Sequence, residues 1–138
     1  MKRLALPKKR RLVSNRQFKA ILDHGRRAGN SLLTLYAAEN DRDYPRLGIS
    51  VGKSSGIAVV RNRLKRLLRE AFRQNQDRIP QSFDYLLMIS PSLSRRLRRQ
   101  DDEGTLKSLS LSQFQRAFLS LVTTLFDAPA ERQERTDP

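Results

Sequence analysis

The chain has 138 residues, 38% of them hydrophobic, which suffices for one domain with a modest core. Lys and Arg number 28 against 14 acids, and a compact state carrying a formal charge of +14 repels itself unless a polyanion, nucleic acid or an anionic membrane, relieves it. The lack of cysteine excludes disulfides and thiolate-held metals, and no apolar run approaches the ~18 residues of a membrane span. The N-terminus, Met1-Lys2-Arg3-Leu4-Ala5-Leu6-Pro7, is basic without the apolar segment of a secretory signal. The expectation is a cytoplasmic nucleic-acid-binding protein with no membrane association.

Residues 1–13 carry Lys2, Arg3, Lys8, Lys9, Arg10 and Arg11 and read as a mobile or loosely docked basic arm, either a phosphate-contacting segment or a solubilising one. A single domain is expected over 14–126, followed by a polar, disordered tail over 127–138. Ser14 and Gln17 have the spacing of a capping box, and Phe18, Ile21 and Leu22 then recur at i, i+3 and i+4. A short helix should therefore run to about Asp23 and stop near Gly25. Gly25 to Asn30 is turn-rich, with room for a short strand.

Ser31 to Glu39 reads as a strand, with Leu33, Leu35 and Ala37 on one face and Leu32, Thr34 and Tyr36 on the other. Asn40 to Pro45 has the composition of a hairpin loop. A second strand covers Arg46 to Gly52. Its Leu47, Ile49 and Val51 suit a core, while Gly48, Ser50 and Gly52 leave the opposite face bare, either for close packing or for a ligand lying on the sheet. A helix should follow from about Ile57 to Asp77, then a central strand from Phe83 to Ile89 with apolar residues on both faces. Ser94 to Gly104 is highly charged and reads as an exposed loop. Leu109 to Phe126 is a final amphipathic helix with Leu111, Phe114, Phe118, Leu121, Val122 and Leu125 as its stripe. The fold class is α+β: a two-layer sandwich of about four strands with helices packed mainly on one face, in the order helix, strands, helix, strand, helix.

The helix after Ile57 carries the strongest functional signal. On a helical wheel Val60, Leu64, Leu67, Leu68 and Ala71 share one sector, with Phe72 at its edge. Asn62, Lys65, Arg66, Arg69 and Arg73 gather opposite, and Glu70 is the only acid between residues 61 and 73. A solvated helix usually mixes signs, because like charges one turn apart destabilise it. A face of one sign makes physical sense against a row of phosphates, where the planar guanidinium binds bidentately or stacks on a base. Asn62 offers both donor and acceptor to a ribose hydroxyl or a base edge, or else caps a neighbouring loop.

No hydrolytic constellation accompanies this helix. His24 is the only histidine and sits beside a turn glycine, Asp41 and Asp43 fall in a hairpin loop, and Asp101-Asp102-Glu103 has no rigid scaffold around it. Gly48, Gly52 and Gly56 lack the spacing of a phosphate-binding loop. No catalytic or metal-ligating residue is therefore expected in the protein. A helix-turn-helix is disfavoured because no second helix is placed to form one.

The run Gly48-Ile49-Ser50-Val51-Gly52-Lys53, followed by Ala58-Val59-Val60-Arg61-Asn62-Arg63-Leu64-Lys65-Arg66-Leu67-Leu68-Arg69-Glu70-Ala71-Phe72-Arg73, closely resembles the Arg-Asn-Arg region of the bacterial ribonuclease P protein component. Leu12 through Phe18, His24-Gly25 and Leu35-Tyr36 resemble that family's first helix and strand, so the likeness spans roughly residues 6–126 and is weakest across Ser94 to Lys107. The resemblance implies a protein that binds a catalytic RNA and assists removal of the 5′ leader from precursor tRNA. It implies that hydrolysis belongs to the RNA and its Mg²⁺, held mainly by the RNA, and that no protein partner is required. It further implies a left-handed strand–helix–strand crossover and a fold similar to a domain of a small-subunit ribosomal protein and of elongation factor G. Carried over by position, Lys53, Arg61, Asn62, Arg63, Lys65, Arg66 and Arg69 face the catalytic RNA, while Phe18, Leu22, Tyr36 and Ser50 line a cleft for the single-stranded leader. Leu22 stands where an aromatic is common, Ser54 where a second Lys is common, and Arg95 to Glu103 departs from the pattern and receives no role. The alternative reading is a non-catalytic RNA-binding protein of similar fold, a ribosomal protein or an RNA chaperone.

Overall fold

A computed structural model of the protein describes residues 6–99 and 107–126. Its helices are α1 (Asn15–His24), α2 (Ala58–Arg73), α3 (Pro91–Arg99) and α4 (Leu111–Phe126). Its strands are β1 (Arg26–Gly29), β2 (Leu33–Glu39), β3 (Arg46–Ser50) and β4 (Phe83–Ile89), with 3-10 turns at Lys8–Arg10 and Lys53–Ser55. The expected tail and the acids Asp101, Asp102 and Glu103 lie outside the described residues. The architecture is the expected α+β one, a four-stranded sheet ordered β1-β2-β4-β3. β1 and β2, and β2 and β4, pair antiparallel; β3 and β4 are parallel, as a connection through a helix requires.

β4 is central, which explains why it is apolar on both faces. On one face Leu33, Leu35, Ala37, Leu47, Tyr85, Leu87 and Ile89 meet the α2 stripe (Val60, Leu64, Leu68, Ala71, Phe72) and the α4 stripe (Phe114, Phe118, Leu121, Val122, Leu125). Phe72, Tyr85 and Phe118 form a mutual aromatic triad with ring centroids 5.8–6.3 Å apart. All three are fully buried, and each such side chain contributes about 2–3 kcal/mol of apolar transfer. On the opposite face α1 covers a smaller cluster of Leu12, Ile21 and Leu86, joined by Phe18, Tyr36, Ala38 and Met88. The helices thus lie mainly, but not wholly, on one face.

Polar side chains fasten the connections. The Asn30 side chain accepts from the Leu32 and Leu33 amides and donates to the Ala117 carbonyl, tying the β1–β2 turn to α4. Asp84, almost buried in β4, takes two hydrogen bonds at 2.8 Å from the Arg46 guanidinium and one from Asn40. Ser14 and Gln17 close the expected capping box.

Besides the hairpin expected over residues 40–45, which does not form because β4 lies between β2 and β3 in the sheet, three expectations need correction. The segment read as an exposed loop from Ser94 starts inside a helix, α3: its charges hid an i, i+4 pair, Leu93 and Leu97, both fully buried. The Ser90 hydroxyl accepts from the Leu93 amide and caps that helix. The helix expected to reach Asp77 ends at Arg73, where Asn75 Nδ2 donates to the Ala71 carbonyl and breaks the ladder. Third, the basic segment before residue 14 is firmly docked over Lys8–Leu12. Arg11 bridges Leu47 in parallel, the Leu12 amide donates to the Leu47 carbonyl, and Lys9 and Arg10 lie over the Tyr44 ring. Arg10 also donates to Gln76 Oε1 at 2.8 Å.

Candidate nucleic-acid interface

Burial of Val60, Leu64, Leu68, Ala71 and Phe72 fixes the rotation of α2 about its axis. That rotation leaves Asn62, Arg63, Arg66 and Arg69 exposed and Arg61 and Lys65 half-buried along the flanks. The helix starts after Gly56, whose φ of 121° only glycine adopts readily, and Arg61 Nε reaches back to the Gly56 carbonyl at 3.1 Å. Lys53 is exposed in the 3-10 turn just before that glycine. Glu70 neutralises one cation of the basic face, Arg73. It is held by Arg73, one turn on at 2.7 Å, whose hydrogen bonds keep its carboxyl below the ordinary glutamate range. Among the described residues no ion pair engages Lys53, Arg61, Arg63, Lys65, Arg66 or Arg69. The structure therefore brings all seven residues expected to face a catalytic RNA onto one helix and the turn that leads into it.

The second surface is the sheet face under α1. Strand register sets two rows across it, Arg27–Tyr36–Leu86–Gly48 and Gly29–Thr34–Met88–Ser50. Phe18 is seated on Gly48, where a Cβ would stand 2.7 Å from Phe18 Cε1 and 3.3 Å from Leu12 Cβ. At Gly48, then, the bare strand face serves close packing. At Gly52 a Cβ would meet nothing within 4 Å, so the face stays open beyond β3. Phe18 and Tyr36 share the small apolar cluster and are half-buried. Ser50 lies on the same sheet face opposite Met88, also half-buried. Leu22, one turn after Phe18 on α1, is 44% exposed and stands outside that cluster.

Two residues of this surface were missed by sequence reasoning. Met88 lies in the same row as Ser50, and Arg27 is the Cα partner of Tyr36, an exposed cation beside an aromatic on the same face. Placing β1 at 26–29 would have revealed Arg27 through the two-residue alternation. Exposed Asp41 and Asp43 remain in the β2–β3 connection, and among the described residues no three His, Asp or Glu side chains gather. Among the described residues no helix is long and apolar enough to cross a membrane.

Comparison with known proteins places this geometry in context. The family model described as Ribonuclease P matches residues 6–117. The ribonuclease P protein component of Syntrophus aciditrophicus is 44% identical over 94 residues, covering 68% of this chain and 79% of that protein. That of Pseudomonas savastanoi is 52% identical over 73 residues, 51% of this chain and 54% of that protein. Among solved structures, the RNase P protein of Staphylococcus aureus superposes with a TM-score of 0.66 at 26% identity, covering 83% of this chain and 94% of the other. The RNase P protein of Thermotoga maritima gives 0.59 at 36% identity, covering 77% and 96%. By sequence over most of its length, and by fold, the chain belongs to the ribonuclease P protein family.

Proposed function

We propose that the chain is the RNA-binding subunit of a ribonuclease P ribonucleoprotein, which binds the catalytic RNA through α2 and the 5′ leader of precursor tRNA through the sheet face under α1. The observation that carries this reading is the basic outer face of α2, where Arg63, Lys65, Arg66 and Arg69 form no ion pair among the described residues. Uncompensated like charges one turn apart cost the free helix a few tenths of a kcal/mol per pair, and phosphates reverse the sign of that term. Arg63, Arg66 and Arg69 suit phosphate oxygens, and Asn62 between them suits a ribose 2′-hydroxyl. On the other face, Tyr36 and Phe18 offer apolar rings to unstacked bases, and Arg27 beside Tyr36 offers a cation to the intervening phosphate. A single strand is held by this combination without need of a defined base sequence.

The leader is removed by hydrolysis, to which Mg²⁺ held by the RNA supplies charge stabilisation. In this reading the RNA holds the Mg²⁺, and the part of the protein's own residues is to bind and orient. The test is reconstitution. The full chain, added to a bacterial ribonuclease P RNA at low Mg²⁺, should restore cleavage of precursor tRNA at the mature 5′ end. RNA binding without restored cleavage would point to a ribosomal protein or chaperone and overturn the reading.

A further inference from the structure

Helix α3 carries a second basic surface that the proposed function leaves unused. Its sequence between 91 and 99 contains Arg95, Arg96, Arg98 and Arg99 and no acid. The buried side consists of Leu93, Ser94 and Leu97, so Ser92, Arg95, Arg96 and Arg98 are turned to solvent. Position follows from topology. β3 and β4 are parallel, so their C-terminal ends lie at the same end of the sheet. β3 leads at that end into the Lys53–Ser55 turn and the first turns of α2, and β4 leads directly into α3. The two are stapled together, because the Ser55 and Ser94 hydroxyls, both buried, share a hydrogen bond of 3.1 Å. Ser90 anchors α3 from behind, donating to the Ser31 carbonyl at 2.7 Å while it caps the helix.

We propose that Arg95, Arg96 and Arg98 form a phosphate-binding extension of the α2 surface, continuous with Lys53, Arg61 and Arg63 around one end of the sheet, and that its occupant is the sugar–phosphate backbone of the same folded RNA. The inference rests on the proposed function. Favourable interaction with the helix dipole accounts for cations in the last turn, Arg96 and Arg98, but falls off before Arg95. Among the described residues none of Arg95, Arg96 and Arg98 has an ion-pair partner. A lipid surface does not suit this helix, because both of its leucines are fully buried and the outward side offers nothing apolar to insert. A row of arginines with no aromatic or amide side chain beside it suits phosphate oxygens ahead of base edges. Backbone phosphate remains.

The experiment compares the full-length chain with R95Q/R96Q/R98Q and, as a reference, R66Q/R69Q, by measuring affinity for a bacterial ribonuclease P RNA across a salt series. Each lost phosphate contact flattens the plot of log affinity against log salt by about one unit. The α3 triple variant should lose two to three units and bind at least roughly tenfold more weakly at moderate salt. If R66Q/R69Q flattens the plot and the α3 variant does not, the α3 surface is a solvated face and only this inference falls. If neither variant changes the slope, the proposed function falls with it. Should the triple variant unfold, the wild-type chain answers instead: phenylglyoxal modification read by mass spectrometry should show Arg95, Arg96 and Arg98 protected by the RNA. Equal modification with and without RNA overturns the proposal.

Discussion

Gly48 is where one atom separates two outcomes. The Phe18 ring edge occupies the space a Cβ would take, and β3 cannot yield because it is hydrogen-bonded to β4 on one side and bridged by Arg11 and Leu12 on the other. Gly48→Ala should therefore displace Phe18, costing about 1–3 kcal/mol as a small-to-large change in a packed site. Gly52→Ala, into open space, should cost little. In a reconstituted holoenzyme, G48A should weaken binding of precursor tRNA bearing a leader and spare mature tRNA, which a paired affinity measurement checks. Equal losses for both substrates would separate Phe18 from leader binding. Residues such as Leu33, Leu35 and Ala37 were legible in the sequence because a strand face needs only alternation. The seat of Phe18 on Gly48 was not, because it depends on how α1 lies across the sheet.

Among the elements, the contact between β4 and the α2–α4 layer turns on Tyr85. Its ring sits among Phe72, Phe83, Phe118 and Phe126, and its hydroxyl donates to the Pro80 carbonyl at 2.7 Å. Burial pushes the phenol well above its ordinary range, a shift that the charge of Arg26 only partly offsets. The folded chain keeps this proton while an unfolded tyrosine releases it near pH 10. The contribution of Tyr85 is therefore intact below about pH 10 and is lost as pH rises further, by up to about 1.4 kcal/mol per unit. Tyr85→Phe should cost about 1 kcal/mol at neutral pH through the lost hydrogen bond. Its disadvantage should shrink and then reverse between about pH 10 and 11, which urea unfolding of both proteins across that range would show. At this scale the periodicity of α2 and α4 was plain from sequence. That of α3 was not, because a nine-residue helix whose buried side holds two leucines and a serine offers too few apolar residues to stand out among four arginines.

For the whole molecule the governing quantity is a formal charge of +14. The described ion pairs are few: Lys19–Asp23 on the surface, Glu70–Arg73 partly exposed, and Arg46–Asp84 nearly buried. Surface pairs contribute little, so screening should relieve more repulsion than it removes attraction. The melting temperature of the free protein should rise by a few degrees between about 20 and 300 mM NaCl, while RNA affinity falls over the same range. Scanning fluorimetry and a binding titration on one preparation would test the opposed signs. A flat or falling melting curve would mean that self-repulsion is not the cost inferred from composition. Charge, fold class and the α2 face were readable from one sequence. The way the arm closes the β3 edge, and the way two helix starts meet at one end of the sheet, required the strand order.

β3 has only five residues, and both of its sides are in use. Leu47 and Ile49 pack toward α2, while Gly48 and Ser50 form part of the surface under α1. A slip of one residue against β4 would turn each set to the wrong side at once. The strand therefore acts as a shared ruler between two surfaces that never touch. A substitution that loosens it cannot impair one surface alone, whereas a substitution on the outer side of α2 can. Defects in this chain should accordingly sort into two patterns, losses confined to one RNA segment and losses common to both, with shifts of the β3 register as the origin of the second.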